Sequence, residues 1–198
     1  VLVGLSYLGG SIPWGYLAGR VAGRDVRREG SGNTGATNVW RVLGRRYGVP
    51  VLLLDLAKGL VPALIGLQIA GSGVAILAGA AAVVGHTFPV FLGFGGGKGV
   101  ATTAGVVIAI TPLEAIGLAL FMLAILWLFR YVSLSSMLTA CAYPLTCLAT
   151  GRPWPVVAFG TIAAVGIVLR HRANIRRLLA GGEPKVSGFG RGARAGTA

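Results

Sequence analysis

The sequence predicts an all-α, polytopic integral membrane protein with seven transmembrane helices, N-terminus outside and C-terminus in the cytoplasm. Three observations carry this. The 198 residues are 55% hydrophobic and 12% charged, with a mean hydropathy of +0.78. Soluble domains hold about 25% charged residues, so these charges are too few to cover a water-facing surface. The apolar residues fall into seven runs separated by polar or Gly/Pro-rich breaks. The cations are one-sided. Of 18 Lys and Arg, seven lie between residues 20 and 48, seven follow residue 169, and Lys98 and Arg130 fall on the same side of a seven-span chain. Lys58 lies within the second span, and only Arg152 falls on the far side. That asymmetry makes the crowded side cytoplasmic.

Taken in order, residues 2–19 form the first span. It contains Pro13 and lacks a basic leader and a cleavage site, so it reads as a retained span and not a signal peptide. Residues 20–48 are a basic connection with Asp25 and Glu29 as its acids. Residues 49–70 form the second span, GSG at 71–73 a tight turn, and 74–93 the third span. FGGGKG at 94–99 is a polar loop. Residues 100–111 give a short fourth span, Pro112 and Glu114 a turn, and 115–129 the fifth span. The sixth is 132–150, GRPWP at 151–155 turns the chain, and 156–169 is the seventh. RHRANIRR at 170–177 is basic, and 181–198 is a Gly-rich, mobile cytoplasmic tail, leaving 1–180 as one membrane domain. The 33 glycines suit helices that pack backbone to backbone in lipid.

Within the second span Asp55 and Lys58 are three residues apart. Charges inside a membrane are costly unless paired, so mutual pairing near the cytoplasmic end is expected. Cys141 and Cys147, six apart on one helix, point to different faces and do not suit a disulfide. No zinc-type cluster is present. A net charge of +13 would suggest nucleic acid for a soluble chain. Here the charges sit in loops between spans, where they set topology and attract anionic substrate or lipid; no nucleic-acid partner is expected.

The stretch SGNTGATNVWR at 31–41 interrupts this apolar chain with hydroxyls and amides: Ser31, Asn33, Thr34, Thr37 and Asn38. Its glycines allow close approach to a ligand, and Arg41 offers a planar fork of donors. An anion clamp and a hydrated turn both fit. Gly95, Gly96, Gly97 and Gly99 with Lys98 could cradle phosphate on backbone N–H groups, or form a flexible loop with one lysine. The P-loop and dinucleotide patterns do not fit it. His171 and Asn174 share a helix face among arginines suited to lipid headgroups. Ser133, Ser135 and Ser136 open the sixth span, as caps or as hydroxyls for a site. His86 is a capping or interhelical hydrogen-bond donor, or a catalyst. His86 and His171 are followed five residues later by Phe91 and Arg176, so no H-x-x-x-x-D acyltransferase motif exists, and G-x-S-x-G is absent. The one-sided topology puts 31–41, 94–99 and 170–177 at one cytoplasmic surface.

SGNTGATNVWR at 31–41, GHTFPVFLGFGGGKGVATT at 85–103 and HRANIRRLLAGGE at 171–183 resemble the three signature segments of the bacterial acyl-phosphate:glycerol-3-phosphate acyltransferase family (PlsY type). GSIPWGYL at 10–17 and LDLAKG at 54–59 are similar to that family too. The resemblance implies a seven-helix enzyme of the bacterial cytoplasmic membrane. It would transfer a fatty acyl group from acyl phosphate to the 1-hydroxyl of sn-glycerol 3-phosphate, giving 1-acylglycerol 3-phosphate and inorganic phosphate. No cofactor and no metal are implied, and the enzyme that makes acyl phosphate is the expected functional link. The family residues correspond to Ser31, Thr37, Asn38, Arg41, Lys98, Ser136, His171 and Asn174. Ser31, Arg41, Lys98, His171 and Asn174 are the catalytic candidates. Asn33, Thr37, Asn38, Gly96, Gly97, Gly99, Ser136, His86 and Glu183 are the substrate-binding candidates, with bracing of the motifs as the alternative for His86 and Glu183. Two phosphorylated substrates call for two anion subsites, which Arg41 and Lys98 can serve. The proton acceptor is His171 or a substrate phosphate. An organic-phosphate transporter is the competing reading, but no internal repeat supports it.

Overall fold

The structure, a computed structural model, describes residues 1–186; the rest of the expected tail, 187–198, lies outside the described residues. Among the described residues every regular element is helical.

The expected first span is two helices, α1 (Leu2–Gly10) and α2 (Trp14–Val21). Pro13 caps α2; without an N–H it cannot continue the ladder of α1. Helix α3 (Ala36–Leu43) lies within the basic connection. The second and third spans are the two limbs of α4 (Arg45–Thr87), broken at Ala70 and Gly71, the latter with φ 75, a backbone state that glycine adopts freely. A Cβ on Gly66 would lie 2.7 Å from the Cα of Ala75. In a straight helix those residues are about 13 Å apart along the axis, so the chain folds back at the break.

Next come α5 (Val100–Ile110), α6 (Pro112–Phe129), α7 (Val132–Ala149), α8 (Trp154–Arg170) and α9 (Arg172–Leu179). Helix α6 starts three residues before the expected position because proline suits a first helical turn. Helices α8 and α9 meet at a 59° bend. Judged by length and hydropathy alone, residues 45–92, α6 and α7 can cross a membrane, and α8 with α9 would make a fourth bent span. This test does not reach the expected seven. It takes the folded-back α4 as one stretch, and α1, α2 and α5 are short. The eleven residues of α5 reach about 16 Å, half a hydrocarbon core.

Small residues set the packing. A Cβ on Gly59 would overlap the carbonyl of Thr102, and one on Gly105 the carbonyl of Leu56, so α4 and α5 cross with backbones touching. Gly10 and Gly85 do the same for α1 against α4. Outward faces carry exposed Leu120, Trp127, Ile162 and Leu169, as a lipid-facing surface requires. At one end, Arg152 grips the buried Glu114 with two hydrogen bonds of 2.6 and 2.8 Å, and Thr150 adds a third. This clamp ties the start of α6 to the α7–α8 turn. The opposite end, where α5 and α7 begin and α8 ends, holds the polar motifs.

Candidate active site

The glycine loop is held from both sides. Gly96 N–H donates to Thr87 O at 3.2 Å and Gly97 N–H to His86 O at 3.1 Å. Arg170 reaches across from α8 to the carbonyls of Gly96 and Gly97 at 2.9 and 3.2 Å. Gly95 N–H is also bonded within the loop, to Leu92 O. The expectation of free donors at Gly95, Gly96 and Gly97 is therefore not met. These glycines serve packing: a Cβ at Gly96 would overlap His86 O, and one at Gly97 would overlap the imidazole of His86. Gly99, at φ 80, caps α5. What the loop presents is Lys98.

Lys98 Nζ donates to Asn174 Oδ1 at 2.5 Å. Asn174 Nδ2 donates to Glu183 Oε1 at 2.6 Å, and the same oxygen accepts from Ser133 at 2.6 Å. Arg177 Nε donates to Glu183 Oε2 at 2.8 Å. Glu183 is thus a buried hub joining α7, α9 and the following segment, the bracing arrangement expected as the alternative to substrate contact. Burial works against its charge, but Ser133, Asn174 and Arg177 outweigh it and hold the carboxyl below its usual range. The chain after α9 is tied down here as well: Val186 N–H bonds to Arg130 O at 2.8 Å, so residues 181–186 pack on the bundle.

Burial lowers the Lys98 ammonium to about 8; Glu183 opposes this, while Arg177, Arg170 and Arg41 reinforce it. Arg41 of the first motif is thus within electrostatic reach of Lys98. His171 sits at the α8–α9 bend, buried, with Nδ1 2.8 Å from Ile167 O. A carbonyl can only accept, so Nδ1 carries the proton and Nε2 keeps its lone pair. Burial and then the charge of Lys98 lower this imidazole to about 4, leaving it neutral at pH 7.

In the first motif the amides brace the loop. Buried Asn38 donates to Val26 O at 2.9 Å and Glu29 O at 3.1 Å and accepts from Ser31 N–H at 2.7 Å. Asn33 accepts from Gly35 N–H at 2.8 Å, just before α3. Ser31, Thr37 and Arg41 are exposed, and their side chains hold no hydrogen-bond partner among the described residues. Neighbouring arginines are engaged: Arg24 by Glu29 and Arg27 by Asp25. Of the two candidate cations, Arg41 is exposed without a side-chain partner among the described residues, and Lys98 is held by Asn174.

Asp55 and Lys58 pair as expected, at 2.9 Å. His86 joins them, Nδ1 lying 3.5 Å from Asp55 Oδ1 and 3.4 Å from Lys58 Nζ. Among the predicted candidates, Lys98, His171, Asn174 and Glu183 converge, and Arg41 joins by charge. His86, Asn33 and Asn38 hold the scaffold. Arg170 escaped the sequence reading, because a basic run has many surface explanations, and Ser133, expected as a cap or a site hydroxyl, is given its partner Glu183 only by the fold.

An apolar cavity of about 250 Å³ lies between α4, α5, α6, α7 and α8. Val100, Ser136 and Ile167 line it, close in sequence to Lys98, Ser133 and His171. Ser136 is one of its buried hydroxyls, with Thr103 and Tyr143.

Fold and site define a helical membrane protein that places a cationic, hydrogen-bonding cluster beside an apolar cavity. The glycerol-3-phosphate acyltransferase family profile matches residues 1–181. A glycerol-3-phosphate acyltransferase of Desulforudis audaxviator is 48% identical over 188 residues, covering 94% of this chain and 95% of that one. The Aquifex aeolicus relative is 46% identical over 184 residues, covering 92% and 96%. The crystal structure of PlsY (YgiH), an integral membrane glycerol 3-phosphate acyltransferase, in its glycerol 3-phosphate form, superposes with a TM-score of 0.91 at 45% identity, covering 94% of each chain. Its lysophosphatidic acid form gives 0.88. The chain belongs to the glycerol-3-phosphate acyltransferase family.

Proposed function

We propose that this chain transfers a fatty acyl group from acyl phosphate to the 1-hydroxyl of sn-glycerol 3-phosphate, releasing 1-acylglycerol 3-phosphate and inorganic phosphate. The observation that carries the reading is the juxtaposition of Lys98, Asn174 and His171 with the 250 Å³ apolar cavity, within a family of glycerol-3-phosphate acyltransferases. The cavity suits an acyl chain, and the cationic end suits two phosphates.

Lys98 and Arg41 hold the phosphates and offset their mutual repulsion. Ser31, Thr37 and Ser136 orient them through hydroxyls. Asn174, fixed by Glu183, aims Lys98. The sn-1 oxygen attacks the acyl carbon, the acyl–oxygen bond to phosphate breaks, and the electron pair leaves on phosphate. The hydroxyl proton passes to a phosphate oxygen, whose second pKa is about 6. An imidazole at about 4 is a weaker acceptor, so His171 serves better as a neutral orienting group. Because phosphate is a stable leaving group, positioning supplies most of the catalysis.

The same reading places the protein in the bacterial cytoplasmic membrane as seven spans, with short α1, α2 and α5 sheltered by neighbours and the site facing the cytoplasm. An enzyme producing acyl phosphate would supply the donor. Purified protein given palmitoyl phosphate and glycerol 3-phosphate should release inorganic phosphate and form 1-acylglycerol 3-phosphate together. No release, with glycerol 3-phosphate uptake into proteoliposomes, would replace the enzyme by a transporter.

A further inference from the structure

The buried trio Asp55, Lys58 and His86 has no part in the chemistry above, yet it lies directly beneath the loop that carries Lys98. Asp55 is 2% exposed and His86 8%. Asp55 Oδ1 meets Lys58 Nζ at 2.9 Å and lies 3.5 Å from His86 Nδ1. The other edge of the imidazole, Nε2, packs against Gly97, so closely that any Cβ there would overlap it. The backbone of His86 and Thr87 takes the Gly97 and Gly96 N–H groups. A polar cavity of about 10 Å³ adjoins the trio, bounded by Ser11, Thr34, Asp55, Lys58, His86 and Gly96. It therefore borders both the first motif, through Thr34, and the glycine loop, through Gly96.

We infer that Asp55 and Lys58 are positioning residues: by fixing the His86 imidazole under Gly97 they set the position from which Lys98 reaches a substrate phosphate. The physical reason is leverage. Glycine has no side chain of its own to anchor the loop, so its position is dictated by what it rests on. The ring of His86 can rotate unless both of its edges are held. Asp55 and Lys58 hold one edge, and Gly97 rests on the other. A charged pair is retained at this depth despite its desolvation cost because the ring must keep one orientation.

The inference rests on the acyltransferase reading, and the experiment separates the two. Initial rates are measured for the wild type, Asp55→Ala, Lys98→Ala and the double variant, with melting temperatures for each. The expected result is a drop in kcat/KM on the order of 10-fold to 100-fold for Asp55→Ala, with a much smaller drop when Lys98 is already alanine. A pair that acts through one another is non-additive, whereas general destabilisation would lower both backgrounds equally. Should Asp55→Ala fail to fold, the near-isosteric pair Asp55→Asn with Lys58→Gln is used, and Gly97→Ala tests the same contact from the loop side. An equal drop in both backgrounds, or a wild-type kcat/KM in the isosteric pair and in Gly97→Ala, overturns the inference. An inactive wild type overturns the acyltransferase reading instead.

Discussion

Lys98 illustrates how a residue's meaning depends on its surroundings. A lysine in a glycine loop is normally a solvated point charge. Here burial, with Arg177, Arg170 and Arg41 nearby, brings it to about 8. Below that pH it is charged and attracts phosphate; above it the free enzyme loses this charge. The kcat/KM for the phosphorylated substrates should therefore fall as pH rises through about 8, since that parameter reports groups of the free enzyme. Lys98→Arg, permanently charged, should lose this alkaline limb whatever its absolute rate. A wild-type profile flat to pH 10 would show that Lys98 does not lose its charge near pH 8. Asn38 shows the converse, a motif residue that the structure turns inward. Its three hydrogen bonds close the loop between Val26 and Ser31. Asn38→Ala leaves those partners unmatched, and a loss of about 2–3 kcal/mol is expected. Thermal unfolding in detergent checks this, and an unchanged midpoint would show that Asn38 does not brace the loop.

At the scale of elements, the helices are placed by where side chains are missing. Gly59 and Gly105 let α4 and α5 touch backbone to backbone, and α5 then delivers Lys98 to the site from its N-terminal end. Gly59→Leu would drive a side chain into the Thr102 carbonyl. Overpacking of this kind costs about 1–3 kcal/mol, and the melting midpoint should fall. Gly166→Ala on α8, with open space around its Cα, is the control and should stay within about 0.5 kcal/mol of the wild type. Breaks matter as much as contacts. The fold-back at Gly71 was readable from the GSG turn, whereas the Ser11–Pro13 break divides a stretch, 2–19, that the sequence presents as one span. The bend at His171 was not: RHRANIRR carries no proline or glycine, and the bend follows from where α8 ends against the glycine loop.

For the whole molecule, the polar residues divide between two ends. The Glu114–Arg152 clamp occupies one, and the three motifs gather at the other. If the seven-span arrangement holds, a reporter fused in the turn at residues 151–153 should report the outside and one fused after residue 186 the cytoplasm. Two reporters on the same side would require the seventh span, 156–169, to be withdrawn. The apolar cavity between α5 and α8 has no sequence signature, because its lining residues sit in five helices that all read as lipid-compatible.

By itself the sequence determined the membrane class, the chain breaks at proline and glycine, the pairing of Asp55 with Lys58, and three polar segments suited to phosphate chemistry. Those properties follow from composition, local backbone preference and short spacing, all of which act within a few residues. Only the tertiary structure decided which polar groups are available. Asn38, Glu183 and the N–H groups of Gly96 and Gly97 are engaged by partners the fold brings to them, while Arg41 and Lys98 keep charge to offer. A hydrogen-bonding group looks the same in sequence whether it braces a loop or waits for a ligand; what distinguishes them is a partner that can lie 50 positions away, as Ser133 does from Glu183.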